Sequence, residues 1–348
     1  MNTEILNLTD ADNLEESLKG AADIIKRGGL VVFPTETVYG LGADATNTDA
    51  AEKIYAAKGR PSDNPLIIHI AEPEWAEDYA YTSDLYYKLA KAFMPGPLTV
   101  VLPSKVSVPR KTRGGLSTVA VRCPSNPIAH TLIALSGVPI AAPSANISGT
   151  PSPTRIDHVC DDMAGRVDMI IDGGDCDFGL ESTIVKPNDD GTVTMLRPGK
   201  ITVEDIEALG IKCTVADAVT GALKEGERAL SPGMKYKHYA PKSPLVLIDG
   251  KNSEMLDYIK AESKEKIAII AFTEDLNFIK KSFPGADVYD FSARQDKVGQ
   301  AHRLFSILRD ADKIDYDVIY APMPSKDGIG LALYNRMIRA SAYRIIKL

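Results

Sequence analysis

Two cations lie on a predicted bend between a helix and a strand. In YAAKGRPSDNPLIIHI (residues 55–70), Lys58 ends a helical pattern, Arg60 follows it, and Pro61 restricts the turn. A cation in the last turn of a helix complements the macrodipole by about 0.3–1 kcal/mol, which explains Lys58 taken alone. Because Gly59 and Pro61 fix the turn that carries both cations, the pair is better interpreted as a pre-organised clamp for an anion. Neither cation is expected to belong to the core.

A second candidate for an anion site is the loop AAPSANISGTPSPT at residues 141–154. Its hydroxyl and amide side chains are those of Ser144, Asn146, Ser148 and Ser152. Ordinary Asx and Ser turns explain such a loop equally well. However, small residues after a strand also let a phosphate approach the backbone closely, as in anion-binding nests.

Polar side chains also follow or interrupt several apolar stretches. Arg122 ends TVAVR, where it predicts a carboxylate or phosphate partner, and a structural salt bridge explains it equally well. The other members of this group are Thr35, Glu36, Thr37 and Tyr39 after LVVFP, Glu181, Ser182 and Thr183 in GLESTIV, and Arg197 in LRPG. For the threonines after LVVFP, a simple extension of the strand is the alternative explanation.

Two other features favour structural explanations. His69 lies among apolar neighbours in LIIHI, where a buried histidine is more often part of a core than catalytic. The motif GLGADA (residues 40–45) imitates a dinucleotide-binding fingerprint, but six residues separate it from the strand LVVF and no acidic residue follows at the usual spacing. The sequence contains no GxxxxGK[ST] P-loop. A nucleotide would therefore have to be held by side chains and turn amides.

Helical and strand patterns alternate along the first two hundred residues. Leu14 to Ile25 repeat at helical spacing with Thr9 or Asp12 as a cap, and TDAAEKIYAAK (residues 48–58) predicts a short helix that Gly59 ends. STIVKP and TVTMLRPG predict an antiparallel pair of strands across the turn NDDG. These patterns predict an α/β fold with a twisted mixed sheet and flanking helices.

The length of 348 residues fits two domains. We predict a first domain over residues 1–212, a linker over 213–244, and a smaller Rossmann-like α/β domain over 245–348, with strands LVLIDG, KIAIIAF, ADVYDF and DVIYAPM. The linker segment SPGMKYKHYAP (residues 231–241) is rich in lysines and aromatic rings. Either the rings pack on a domain face, or the segment is a mobile flap that brings cations and rings over an anionic ligand.

Composition and charge argue against several classes of protein. The hydrophobic content of 44% and charged content of 25% are those of a globular protein. No apolar run reaches the roughly 18 residues of a membrane span, and no secretory signal is visible. The net charge of -7 argues against coating of nucleic acid by the whole surface. The four cysteines form no CxxC pair, which argues against zinc or disulfides and favours a cytoplasmic location.

Taken together and in this order, the motifs resemble those of the threonylcarbamoyl-adenylate synthases of the YrdC-like family. The matching stretches, over roughly residues 15–205, are FPTETVYGLG, KGRPSDNPLIIHI, MPGPLTVVL, TVAVRCP, AAPSANISG and GLESTIV. SPGMKYKHYAP and the C-terminal region resemble the two-domain branch of the family. The resemblance implies a YrdC-like domain followed by a smaller Rossmann-like domain.

The resemblance also implies a reaction and a set of site residues. ATP, L-threonine and bicarbonate would condense to threonylcarbamoyl-AMP and pyrophosphate, the first step in making threonylcarbamoyladenosine on ANN-decoding tRNAs. The residues implied for ATP are Lys58, Arg60, Thr118, Ser144, Asn146, Ser152, Arg197, His238 and Tyr239. Those implied for threonine are Thr35, His69, Arg122 and Ser182, with Arg122 on the carboxylate.

The same resemblance implies magnesium with ATP, no organic cofactor, and transfer of the product to a tRNA-modifying transferase complex. No side-chain nucleophile is expected, because phosphoryl transfer mainly needs alignment and charge neutralisation. Two alternatives stay open. Carbamoyltransferases of hydrogenase maturation contain a similar domain, but they carry CxxC zinc modules that this sequence lacks. An RNA-binding module is the other, and direct tRNA binding is left undecided; no membrane partner is expected.

Overall fold

The computed structural model describes residues 2–221 and 239–348. Contacts divide them into two units: the first contains residues 2–148 and 152–221, and the second contains residues 149–151 and 239–348. Of the residues predicted for the flap, Lys235, Lys237 and His238 lie outside the described part of the chain. Within that part, no helix is both long enough and apolar enough to cross a membrane.

The described part of the first unit contains one large mixed sheet. Its strands are β1 (Glu4–Asn7), β2 (Val31–Phe33), β3 (Gly40–Asp44), β4 (Ile67–His69), β5 (Leu98–Pro103), β6 (Thr118–Arg122), β7 (Ile140–Ala141), β8 (Met169–Asp172), β9 (Thr183–Pro187), β10 (Val193–Arg197) and β11 (Cys213–Val215). The order in the sheet is β1-β8-β2-β3-β7-β4-β6-β5-β9-β10-β11. Parallel and antiparallel pairs both occur, so the predicted mixed sheet is confirmed, and the predicted antiparallel pair is β9 with β10.

The described part of the first unit contains seven α-helices, among them the two predicted at residues 14–25 and 48–58. They are α1 (Leu14–Lys26), α2 (Thr48–Lys58), α3 (Ala76–Tyr79), α4 (Asp84–Phe93), α5 (Pro127–Ser136), α6 (Ile156–Met163) and α7 (Val203–Glu207). Helix α2 has the predicted bounds, and Gly59 ends it with a left-handed φ of 60°. Helix α1 is capped by Asn13, whose side chain accepts the amide of Glu16, and not by the predicted Thr9 or Asp12.

The motif GLGADA forms strand β3 and not a strand-to-helix turn, so it is not a dinucleotide fingerprint. Its glycines serve packing between strands. A Cβ on Gly42 would lie 2.6 Å from the Phe33 ring and 2.8 Å from Ile140, so only glycine fits between these side chains. Strand β3 thereby joins β2 to β7, and it places the loop between β2 and β3 beside the end of β7.

The first unit extends beyond the predicted boundary at residue 212. Strand β11 pairs in parallel with β10, and a short 3-10 helix at Asp217–Val219 follows it, with Ala218 and Val219 buried. The boundary was placed too early because CTV offers only three residues, too few to show an alternating pattern. The second unit already includes Tyr239, ahead of the predicted start at residue 245.

The second unit contains a parallel sheet of five described strands in the order β14-β13-β15-β12-β16. Its elements are β12 (Leu245–Asp249), α8 (Asn252–Glu262), β13 (Ile267–Ala271), α9 (Leu276–Ser282), β14 (Asp287–Asp290), α10 (Lys297–Ala311), β15 (Val318–Pro322), α11 (Ile329–Ala340) and β16 (Ile345–Lys347). The parallel pairing agrees with the predicted Rossmann-like layer. Helix α11 was not predicted, and almost all of it is buried.

Candidate functional site

Lys58 is directed from the end of α2 into the loop that follows β7. Its Nζ donates to the carbonyl oxygens of Ser144 (2.5 Å) and Asn146 (2.6 Å). The Ser144 hydroxyl donates to Oδ1 of Asn146 (2.5 Å), and the amide of Ser148 donates to the Lys58 carbonyl (2.9 Å). The structure therefore brings the helix-end cation and the Ser/Asn loop together, as a phosphate site built from both would require.

The expectation that neither cation of the bend belongs to the core is wrong for Lys58. Its side chain is only 2% exposed, because the carbonyl groups that accept its hydrogen bonds also cover it. A buried ammonium group is tolerated where carbonyl oxygens replace water. The sequence could not show this, since the carbonyl groups come from a loop 86 residues further along the chain.

Arg60 is half-buried and is held by the segment that leads into β4. Its Nη2 donates to the carbonyl of Pro65 (2.9 Å). Strands β4 and β6 are parallel, with Ile67 opposite Ala120, and extending this register by two residues puts Thr118 opposite Pro65. Arg60 and Thr118 therefore lie at the same end of these strands. Binding of a nucleotide by both residues stays a prediction.

Strand register sets three further polar side chains in one row across the sheet. His69 of β4 is opposite Arg122 of β6, and Arg122 is opposite Thr99 of β5. Residues in register on neighbouring strands point to the same face of a sheet. Two residues away on the same strands, the register partners Ile67, Ala120 and Val101 belong to one apolar cluster. The polar row therefore borders that cluster, at the end of β6 opposite to Thr118.

Arg122 forms a buried ion pair with the loop between β2 and β3. Its Nη2 donates to Oε1 of Glu36 (2.7 Å) and to the Thr37 hydroxyl (2.9 Å). The two charged side chains are 5% and 7% exposed. The structural salt bridge considered as the alternative explanation for Arg122 is thus present, and its carboxylate is that of Glu36. Whether Arg122 also binds a substrate carboxylate stays a prediction.

Thr35 shapes the same loop. Its hydroxyl donates to the Val38 carbonyl (2.7 Å) and accepts from the amides of Thr37 (3.2 Å) and Val38 (3.3 Å). One donor and both acceptor positions of a hydroxyl are then used within the turn. The loop is therefore a hydrogen-bonded turn, and not the strand extension considered as the alternative.

His69 is buried and uncharged. Burial and, to a lesser extent, the nearby charge of Arg122 lower the pKa of His69 to about 3. Its Nδ1 lies 3.3 Å from the Ile140 carbonyl, which can only accept a hydrogen bond, so Nδ1 carries the proton and Nε2 is the acceptor. The ring also meets Phe33 edge to face. The histidine is part of the core and borders the polar row as well.

Ser182 connects the row to Arg197. Its hydroxyl lies 2.8 Å from the Thr99 hydroxyl and accepts from Nη2 of Arg197 (3.0 Å), while Nε of Arg197 donates to the Ser182 carbonyl (3.0 Å). Arg197 was assigned to ATP and Ser182 to threonine, so this contact lies where the two predicted subsites would meet. Thr99 was not among the predicted site residues. The only sign of it in the sequence is a hydroxyl-bearing residue within the apolar strand LTVVLP.

Three of the residues implied for ATP remain, namely Ser152, Tyr239 and His238. The Ser152 hydroxyl donates to Oε1 of Glu181 (2.6 Å), and both side chains are buried in the first unit. Tyr239 belongs to the second unit, where its ring stacks on Phe305 with 5.1 Å between centroids and is 5% exposed. This agrees with the alternative in which the linker rings pack on a domain face. His238 is outside the described residues.

The described residues offer no ready-made metal centre. No group of three or more His, Cys, Asp and Glu side chains among them could hold a metal ion. The side chains of the two polar regions are mainly cations and hydroxyls, which suit anions.

Comparison with known proteins covers both units. The Sua5/YciO/YrdC family model, described as "Telomere recombination", matches residues 23–199. A second model, described as "Threonylcarbamoyl-AMP synthase, C-terminal domain", matches residues 201–342. A threonylcarbamoyl-AMP synthase of Pyrococcus abyssi is 44% identical and covers 99% of each chain, and one of Bacillus subtilis is 44% identical over 94% of this chain and 93% of the relative.

Solved structures agree over the full length. The crystal structure of Pyrococcus abyssi Sua5 complexed with L-threonine matches with a TM-score of 0.89 and 43% identity, over 99% of this chain and 100% of that chain. A variant of the same protein, with a histidine and a tyrosine replaced by alanine, matches with a TM-score of 0.90 and 42% identity. These matches confirm the fold class and the family resemblance found in the motifs.

Proposed function

We propose that this chain, which belongs to the threonylcarbamoyl-AMP synthase family, condenses L-threonine, bicarbonate and ATP to threonylcarbamoyl-AMP and pyrophosphate. Its family makes it an enzyme of the nucleotidyltransferase type. The observation that carries the substrate assignment is the pairing of two differently built polar regions within the first unit. One surrounds Lys58 and the Ser144–Asn146 loop, and the other surrounds Arg122.

The first region suits a polyphosphate. Lys58 and Arg60 supply positive charge, and the hydroxyls and amides around Ser144 and Asn146 supply donors. Charge-assisted hydrogen bonds are roughly twice as strong as neutral ones. Alignment and neutralisation of the phosphates are the main tasks of a protein in phosphoryl transfer, so this region requires no nucleophile. Magnesium is proposed as part of the substrate MgATP, bound chiefly by phosphate oxygens and water.

The second region suits an amino acid with a hydroxyl group. Arg122 supplies a donor for the carboxylate, neutral His69 offers Nε2 as an acceptor, and Ser182 shares its hydroxyl with Thr99. Binding of L-threonine to the Pyrococcus abyssi protein supports the same ligand for this chain. The amine of threonine would add carbon dioxide to give a carbamate, whose oxygen attacks the α-phosphate and displaces pyrophosphate.

Residues 231–241 are proposed to close over the nucleotide. Lys235 and His238 would contact phosphate or adenine, and closure would protect the carbamate and the product from water. For Tyr239 to contribute, its ring would have to exchange the stacking on Phe305 for the nucleotide. The product would pass to a tRNA-modifying transferase in the cytoplasm and serve threonylcarbamoyladenosine formation on ANN-decoding tRNAs.

The experiment that tests this function is a reconstitution with purified protein. Incubation with MgATP, L-threonine and bicarbonate is expected to give pyrophosphate and a product with the mass of threonylcarbamoyl-AMP. Omission of threonine or bicarbonate should abolish both signals, and addition of tRNA should not be needed. Pyrophosphate release that ignores threonine would contradict the proposal.

Direct binding of RNA is a second candidate function, favoured by one observation. The chain has a net charge of -7, yet residues 85–156 contain no Asp or Glu and include eight Lys and Arg residues. Lys and Arg side chains that share one face of a protein bind phosphate backbones. Binding of tRNA that weakens steeply with added salt, in the absence of ATP and threonine, would support it.

A further inference from the structure

We propose that the buried Glu36–Arg122 pair receives the zwitterion of the amino acid substrate, with Glu36 binding the α-ammonium group and accepting its proton. The inference rests on the proposed function and adds a substrate contact to it. Neither the sequence motifs nor the family resemblance assigned a role to Glu36.

The ion pair leaves two polar atoms of opposite kind unused. Nη2 and Nε share one edge of the guanidinium group, and this edge can hold both oxygens of a carboxylate. In this protein only the Nη2–Oε1 contact forms, at 2.7 Å. Oε2 of Glu36 and Nε of Arg122 are buried and have no hydrogen-bond partner among the described residues. Buried polar atoms of a native protein are nearly always paired, so these two atoms require an explanation.

An α-amino acid supplies both missing partners. Its ammonium group donates hydrogen bonds, which Oε2 of Glu36 accepts, and its carboxylate accepts, which suits Nε of Arg122. The ammonium and carboxylate groups of the ligand are attached to the same carbon. Glu36 Oε2 and Arg122 Nε likewise belong to the same ion pair. A hydroxy acid or a simple carboxylate would satisfy Arg122 and leave Glu36 Oε2 without a charged donor. The pair therefore selects α-amino acids.

The proton of the ammonium group must leave before the nitrogen can react. Conversion of threonine and bicarbonate to the carbamate forms a nitrogen–carbon bond, releases one water, and frees one net proton. The ammonium group loses two protons in all, of which one is consumed when bicarbonate becomes carbon dioxide and water. Glu36 Oε2 takes the other and later returns it to solvent. His69 is unsuited to this task, because burial and Arg122 oppose a positive charge on its ring.

The first test uses the unmodified protein and changes the ligand. With ATP present, the dissociation constant of threonine is compared with that of 2,3-dihydroxybutanoate, in which a hydroxyl replaces the ammonium group. At least hundredfold weaker binding of the hydroxy acid is expected, because a buried carboxylate then lacks its charged partner. Equal affinity for both compounds would overturn the inference.

The second test changes the protein. Glu36→Gln keeps the shape and a hydrogen-bond acceptor for Arg122 but removes the charge, and a threonine affinity at least tenfold lower is expected. In the unmodified protein, threonine affinity should fall as pH rises through the pKa of the free ammonium group; in the variant this dependence should be much weaker. Glu36→Asp, which keeps the charge, should retain the pH dependence. A merely structural role would not alter this pH profile.

Glu52→Gln is the matched control, since it removes an equal charge from an exposed bridge to Lys111. ATP affinity and thermal unfolding are measured on each variant. If Glu36→Gln does not fold, the hydroxy-acid comparison and Glu36→Asp decide. If the wild-type protein forms no adenylate, the proposed function is contradicted. If it forms adenylate but Glu36→Gln leaves the threonine affinity and its pH profile unchanged, only the role of Glu36 is overturned.

Discussion

The two polar regions of the first unit hold their cations in different ways. Around the end of α2, Lys58 and Arg60 donate to backbone carbonyls of loops, at Ser144, Asn146 and Pro65. In the region around the end of β6, Arg122 and Arg197 meet the side chains of Glu36, Thr37 and Ser182, and Arg197 also donates to the Ser182 carbonyl. The first region depends on how loops are folded, and the second depends on which side chains the strands bring into register.

This difference fits the ligands proposed for each region. A triphosphate is flexible and highly charged, so cations steadied by neutral carbonyls keep their full charge available to it. A small zwitterion must be distinguished from similar molecules, and this calls for fixed donors and acceptors of both signs. The comparison predicts different consequences for substitutions in the two regions. Around Arg122, a substitution removes the partner of a buried charge. Around Lys58, it removes the support of a folded loop.

Arg122→Ala is expected to have the largest effect. It leaves Glu36 buried without its cation, and breaking a buried pair in this way costs about 3–5 kcal/mol. Urea unfolding should show this loss, and adenylate formation should disappear. Arg110→Ala, at an exposed arginine with no described ion pair, is the control. If the Arg122→Ala protein is as stable as wild type, the buried charge of Glu36 does not depend on Arg122 as its counter-charge, and this prediction is wrong.

Lys58→Ala and Arg60→Ala test the other region together. Each charge-assisted bond to phosphate is worth about 1.5–3 kcal/mol, so both variants should bind ATP at least tenfold more weakly by calorimetry. Only Lys58→Ala should also unfold at clearly lower urea concentration, because Lys58 is buried and supports two loop carbonyls while Arg60 is half-exposed. Equal stability of the two variants, or unchanged ATP affinity in both, would refute the comparison.

Local features were predictable from the sequence where the signal is local. Helix α2 has its predicted bounds, because Gly59 can adopt the left-handed conformation that ends it. The β9–β10 hairpin follows from alternating residues on either side of a turn. The motifs also identified the family, since their order and spacing are more specific than any of them alone.

Features that depend on distant partners were not predictable. The burial of Lys58 requires carbonyls from another loop, and the row of His69, Arg122 and Thr99 requires the register of three strands that are far apart in the chain. A single residue of register shift would direct these side chains to the opposite face. Glu36 was noted as polar, but its pairing with Arg122 could not be deduced without that register.

Discrimination between threonine and valine tests the hydroxyl side of the amino-acid region. Valine has the shape of threonine without the hydroxyl, so wild-type protein should use it poorly. Because the Thr35 hydroxyl is occupied within its turn, the Ser182–Thr99 pair is the expected reader. Ser182→Ala should lower the threonine-to-valine ratio of adenylate formation roughly tenfold. Ser107→Ala, on an exposed hydroxyl, should leave the ratio unchanged; comparable use of both amino acids by wild type would refute the assignment.

The smallest expected effect concerns the pH dependence of stability at His69. Its pKa is about 3 when folded and about 6.5 when unfolded, so the unfolded chain binds the proton first as pH falls. The native state therefore loses stability below pH 6.5, by about 1 kcal/mol between pH 7 and pH 5.5 from this residue alone. His69→Asn can keep a donor for the Ile140 carbonyl and removes the titration. The difference in urea-unfolding free energy between pH 7 and pH 5.5 should be smaller in the variant by this amount, while carboxylates elsewhere contribute equally to both proteins. An identical pH dependence in the two proteins would mean that His69 is not held neutral beside Arg122.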